Sequence, residues 1–216
     1  AIVLCVTMLI GTTFAWFTDT ASTGVNRIQA GNLDIELAYK NSTTRGEFKK
    51  ADKSTPVFDN NALWEPGHVE YVVLKVSNAG SLALKYKLGI NIANEVGSTN
   101  VYNNAFQLSD YIRFAVLDDD QSGLGRDALV AAAADSKLIK EGYTAENHLA
   151  KGESKIVTLV VWMPTTVGNE ANHKTGVAAP AIDLGIRVVA TQDTVEHDSF
   201  GNQYDENATY PVTDNK

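Results

Sequence analysis

Residues 82–92, LALKYKLGINI, place Leu82, Leu84, Tyr86, Leu88, Ile90 and Ile92 at every second position, with Lys85, Lys87 and Asn91 between them. A period of two with one oily face marks a strand half buried against a core, whereas a helix would space its apolar residues three and four apart. The same alternation recurs on both sides. Leu33, Ile35, Leu37 and Tyr39 alternate with Asp34 and Glu36, and Ile182, Leu184, Ile186, Val188 and Ala190 alternate with Asp183 and Arg187. Residues 69–76 and 111–117 are rich in β-branched and aromatic side chains and read as two more strands.

Residues 155–163, KIVTLVVWM, depart from this pattern. Val157, Leu159, Val161 and Met163 line one face, yet Ile156, Val160 and Trp162 line the other. A strand apolar on both faces must be covered on both, by a loop, a helix or another subunit. Pro164 ends it. Glu65-Pro-Gly67 precedes one strand, and Asn78-Ala-Gly80 reads as a hairpin turn joining two. The Ala-rich residues 125–134 predict the one helix, extendable toward Lys140. Residues 39–61 read as a long polar loop. Strand after strand with turns between them predicts an all-β fold, a jelly-roll-type antiparallel β-sandwich with one short helix and long loops.

The net charge of −8 argues against nucleic acid and anionic membrane as partners. Residues 1–15 form an uncharged apolar run. The run is shorter than the roughly 20 residues of a membrane-spanning helix and fits the core of a secretory signal. Thr13 and Ala15 supply small residues where a signal peptidase reads, so cleavage is expected between Ala15 and Trp16. The chain begins at Ala1 rather than Met, so this signal is expected to be partial. Cleavage would discard Cys5, the single cysteine, and leave a mature chain that relies on core burial rather than disulfides. The expected organisation is a partial signal peptide at 1–15, an N-terminal segment at 16–29, a sandwich domain at 30–198 and an acidic polar tail at 199–216.

Catalytic motifs are scarce. His68, His148, His173 and His197 show no HExxH or His-x-x-x-His spacing, and each sits in or beside a polar stretch, as a solvated surface histidine would. No G-x-S-x-G elbow and no phosphate loop occur, and a mature chain without cysteine excludes a thiol mechanism. Asp118, Asp120 and Ser122, followed by Gly123, resemble the front of a calcium loop, but Leu129 stands where the bidentate Glu belongs. The turn is therefore at most a loose calcium candidate, and no cofactor is expected. Asp193, Glu196, Asp198, Asp205 and Glu206 form a second acidic cluster of the same standing.

Three blocks together resemble the TasA/camelysin family of secreted bacterial proteins. They are GTTFAWFTDTASTGVNRIQAGNLDIEL at 11–37, WEPGHVEYVVLKVSNAGSLALKYKL at 64–88 and VVATQDTVEHDSFGNQYDENA at 188–208. The resemblance implies processing by a dedicated signal peptidase, export to the cell surface or matrix, and no stable membrane anchor afterwards. It implies a jelly-roll subunit of biofilm matrix fibres, a homopolymer in which the freed N-terminal segment of one subunit is added as a strand to the next. The segment 16–29 lacks proline and is strand-competent. Phe17, Ala21 and Val25 are the side chains expected to enter the acceptor groove, with Trp16 and Ile28 anchoring its ends, although Asp19 shares the phase of Phe17. The family is also catalogued as peptidases, and no metal-ligand motif here supports that activity, so a non-enzymatic role is expected. The rival expectations are a secreted camelysin-type metallopeptidase and a monomeric cell-surface module that binds a polysaccharide or host protein.

Overall fold

The computed structural model describes residues 32–52, 55–58, 64–133 and 135–193. Its strands all fall within one compact unit that begins at Leu33. They are β1 (Ile35–Lys40), β2 (Lys49–Lys50), β3 (Val69–Asn78), β4 (Leu84–Val96), β5 (Ser98–Thr99), β6 (Ala105–Phe106), β7 (Arg113–Asp118), β8 (Lys137–Leu138), β9 (Asn147–Leu149), β10 (Ser154–Trp162) and β11 (Ala181–Gln192). A six-stranded sheet has the order β2-β1-β3-β10-β7-β8, a three-stranded sheet the order β11-β4-β9, and β5 and β6 form a small ribbon. Every pairing is antiparallel. Along β3, β4, β7, β9, β10 and β11 the chain changes sheet at each step, the habit of a rolled sandwich.

The alternation in β4 resolves as expected. Leu84, Tyr86 and Leu88 are buried while Lys85 and Lys87 are only half-buried. The inward row of β4 meets Val72, Leu74 and Val76 of β3, Phe114 of β7, and Val157, Leu159 and Val161 of β10 in the main core. Tyr86 lies in this core, where burial first, with the charge of Asp118 adding, pushes its phenol up to about 12. Its hydroxyl has no hydrogen-bond partner among the described residues. An unsatisfied buried hydroxyl costs more than it returns, so Tyr86→Phe is expected to raise the unfolding free energy by about 1 kcal/mol. Urea denaturation checks this, and a loss of stability would reveal a hidden partner for the hydroxyl.

The doubly apolar strand is β10, central in the larger sheet. One face looks into the main core. On the other, Val160 and Trp162 join Val69 of β3, Ala115 of β7, and Leu129 and Ala133 from the helical segment in a second cluster. That helix, α1 (Arg126–Ala132), is thus part of the cover the sequence demanded. It stops well short of Lys140. Lys137 and Leu138 instead pair with Phe114 and Arg113 of β7, because the open edge of β7 offers backbone partners that a longer helix would leave unmet.

Two other expectations need correction. Residues 39–61 are not all loop: Lys49 and Lys50 return to pair with Tyr39 and Ala38. Asn78-Ala-Gly80 is not a hairpin turn, since β3 pairs with β1 and β10 while β4 pairs with β11 and β9. It is a corner between the sheets. The buried Asn78 side chain donates to the carbonyls of Leu82, Leu149 and Ala150 at 2.8, 3.1 and 3.2 Å, and accepts from the Gly80 amide at 3.0 Å. Its own amide donates to Glu153 O and its carbonyl accepts from Gly152 N. One side chain therefore ties the stretch 78–82 to residues 149–150, far along the chain, where the strand changes layers.

Candidate functional site

Sheet edges are the places where backbone N–H and C=O groups stand ready for another strand. The larger sheet ends in β2 and β8, each two residues long. The smaller sheet has the three-residue β9 on one side. On its other side lies β11, twelve residues long, and among the described residues no strand pairs with its outer edge. Lysines guard the β2 edge, where Lys50 also pairs with Glu36 of β1. Along β11 the only charged residues are Asp183 and Arg187.

The face of β11 that looks toward the core is incompletely covered. Ile182, Leu184, Ile186, Val188 and Ala190 pack against the main core but are only partly buried. So are Ile35, Leu37 and Tyr39 of β1, near the edge of the facing sheet. By contrast Leu74, Val76 and Leu159, from the inner strands, are essentially inaccessible. A groove of about 990 Å³ is lined by Leu37, Ile90, Ile92 and Ile186 together with polar side chains such as Asp52, Asn91, Lys140 and Arg187. The sandwich thus combines a long strand edge that no described strand pairs with and a half-open, largely apolar seam beside it. Chemically this arrangement does one thing well: it can accept an extended segment whose main chain bonds to β11 and whose alternate side chains fill the seam.

The acidic turn has a structural task. Asp120 and Ser122 come together, with Asp119 at φ +61°, while Asp118 is drawn onto Lys155. Asp120 accepts from Ser122 N at 3.0 Å, while Lys40 forms an ion pair with its carboxylate. The Lys40 bond, then that of Ser122, holds the carboxyl down at about 2. Lys155 pairs with Asp118 at 2.8 Å. Thr158 of β10 anchors the turn, donating to Asp119 O and accepting from Gln121 N, and Tyr71 donates to Ser122 O. The turn lies over the outer face of β10 beside α1. Its two candidate carboxylates each carry a lysine ammonium in the position a cation would take.

The histidines are dispersed. His68 is not a solvated residue: its side chain is 16% exposed, with Nε2 at 3.1 Å from Glu70 and its ring edge-on to Trp64 at 4.8 Å. Trp64 and Val69 flank it in the sequence and draw it inward. His148 is exposed, with Nδ1 at 2.7 Å from the buried Asp193. His173 is exposed in a bridge to Asn100. Among the described residues no group of three or more His, Cys, Asp or Glu is placed to hold a metal ion. Nor is any described helix long and apolar enough to cross a membrane.

His197, Glu196, Asp198, Asp205 and Glu206 lie outside the described residues. So do Ala15 and Trp16 at the expected cleavage, and Phe17, Ala21, Val25 and Ile28 of the expected donor strand. Sequence reasoning missed β11 as an edge and Asn78 and Thr158 as anchors. Compared with known proteins, residues 1–171 match the model of a family described as camelysin metallo-endopeptidase. No curated protein matches the chain.

Proposed function

From the premise that the chain belongs to the camelysin family, we propose that it is a secreted structural subunit of extracellular biofilm matrix fibres. Subunits assemble head to tail. The segment 16–29, freed when the apolar leader is cut after Ala15, is added as a strand to the β11 edge of a second copy. The observation that carries this reading is the twelve-residue outer edge of β11 backed by a row of half-buried apolar side chains. The segment has fourteen residues, 16 to 29, enough to run the length of that edge. Main-chain hydrogen bonds supply affinity that tolerates sequence, and the seam selects side chains such as Phe17, Ala21 and Val25. Export and cleavage delay assembly, since the donor end does not exist inside the cell. A contact between different surfaces of identical subunits does not close on itself, so it propagates as a filament.

The family description names a metallo-endopeptidase, and the described residues do not fit a metal centre of that kind. His68 is engaged by Glu70 and Trp64, and His148 by Asp193. We derive no hydrolytic step from them, and the non-enzymatic reading rests on that mismatch. Deleting residues 16–25 from the processed chain should leave folded monomers, with an unchanged far-UV spectrum and no filaments under negative stain. Filaments of undiminished yield after the deletion would remove strand donation from the proposal.

A further inference from the structure

The chain enters the sandwich beside the Asn78 corner. Ile35, the first residue of β1, pairs with Asn78, the last of β3, and the Asp34 carbonyl accepts from the Ala79 and Gly80 amides. β11 finishes at the same corner: Gln192 pairs with Leu84, and Asp193 N donates to Ala83 O. Ala181, where β11 starts, pairs with Val96 at the far end of β4. β11 spans twelve residues, so its two ends stand about 40 Å apart. The N-terminal entry thus lies at the finishing end of the strand whose outer edge no described strand pairs with.

Strand direction follows from reach. Gln29, the last residue of the donor segment, is four residues from Leu33, about 14 Å of extended chain. On its own subunit the segment therefore reaches β11 only at the Gln192 end. From there it would lie along the edge pointing the same way as β11, so self-capping is a parallel addition. An antiparallel addition puts Gln29 at the Ala181 end, about 40 Å from the corner that holds its own Leu33. Only the β11 of a second copy can receive the segment that way.

We propose that the donor segment runs antiparallel to β11, so that the place where the chain enters the sandwich commits the segment to a second copy and withholds it from its own edge. This deepens the fibre reading and rests on it. Every strand pair among the described residues is antiparallel, and parallel pairs are slightly less stable per residue. A small preference is enough. A short tether holds the segment beside its own edge at about millimolar effective concentration, an advantage of about a thousandfold over micromolar protein. Over the twelve residues of β11, a preference of about twofold per residue offsets it. Direction also decides the form of the assembly. In the antiparallel arrangement the donor's corner end lies within about 14 Å of the acceptor's Ala181 end, and the acceptor's own segment leaves from the opposite end, so the contact stays open and propagates. In a parallel arrangement two corner ends would meet, each beside the other's entry, and reciprocal exchange would close a dimer.

Two-cysteine variants of the processed chain test the direction, since residues 16–216 include no cysteine. Thr18→Cys and Asn26→Cys are each combined with Gln192→Cys or Asp183→Cys, two β11 positions about 30 Å apart, and the assembled protein is treated with a short bis-maleimide. Cross-linked ladders are expected for Thr18→Cys with Gln192→Cys and for Asn26→Cys with Asp183→Cys, at about tenfold or more the yield of the two exchanged pairs. Products in the exchanged pairs instead, within one chain or in a dimer, overturn the antiparallel direction while strand donation to β11 stands. Filaments that give none of the four products take the segment off β11 and overturn both. A peptide of residues 16–29 with a nitroxide on Thr18→Cys, added to the monomer lacking residues 16–25, gives a second reading that needs no variant of the sandwich. It should broaden amide signals near Gln192 and spare those near Ala181; the reverse pattern overturns the proposal.

Discussion

Asn78→Leu should lower the unfolding free energy by about 3–5 kcal/mol, a large part of the stability of an ordinary domain. The arithmetic follows from the corner. Leucine fills nearly the same volume but offers no hydrogen-bonding group. The Leu82, Leu149 and Ala150 carbonyls lose their side-chain donor, and the Gly80 amide keeps only its 3.2 Å bond to Asp34 O. Each group left buried without a partner costs about 1–3 kcal/mol, less whatever water recovers at the rim. Asn78→Asp is expected to be at least as harmful, since it directs a carboxylate at three carbonyl oxygens. Asn78→Ala should be milder, because the space it leaves admits water. Guanidinium unfolding of the three variants gives the order. If Asn78→Leu proved as stable as wild type, the corner would be held by its backbone bonds alone. The change of sheet between β3 and β4 would then need another cause.

The same residue shows where the sequence stops being legible. Asn-x-Gly after a strand fits a hairpin turn and an inter-sheet corner equally well, because the local backbone demand is similar. What separates them is the identity of the acceptors, Leu149, Ala150 and Glu153, some seventy residues downstream. Strand identity was readable because it is a local property: the alternation in β4 and the double apolar face of β10 predicted burial that the structure bears out, whereas the predicted row of β11 packs on the core only half-buried and Val189 and Thr191, of the other phase, are its buried residues. Pairing was not, because any two apolar-faced strands are chemically compatible. Short strands escaped for a different reason. β2 and β8 span two residues each, too few for any period, and exist only because a neighbour's edge was vacant. The candidate site suffers most from this limit. Whether β11 is central or lateral is a fact about topology, and nothing in IDLGIRVVA says that one side will lack a neighbour. The acidic turn is the converse case. Its residues were legible as a cluster, but the lysines that pair with Asp120 and Asp118 come from β1 and β10, eighty and thirty-seven positions away, and fasten the turn over the outer sheet face.

In the polymer, amide exchange along β11 should slow by on the order of a hundredfold or more relative to the monomer lacking residues 16–25. The effect should alternate. In an antiparallel pair successive residues direct their N–H groups to opposite sides, so about half of the β11 amides already bond to β4 and the rest face outward. The outward set has little to protect it in the monomer. When a donor strand is added those amides open only as the whole contact opens, and a hundredfold slowing corresponds to about 2.7 kcal/mol of local stabilisation. The inward set should change less, because its bonds to β4 exist in both states. A synthetic peptide of residues 16–29, WFTDTASTGVNRIQ, added to the truncated monomer should reproduce the pattern at saturating concentration. Protection at β2, β8 or β9 instead would move the acceptor edge to the other side of the sandwich. Filaments in which the outward amides of β11 exchange as fast as in the monomer would mean that this edge stays unpaired, and the half-buried row from Ile182 to Ala190 would then have no part in assembly.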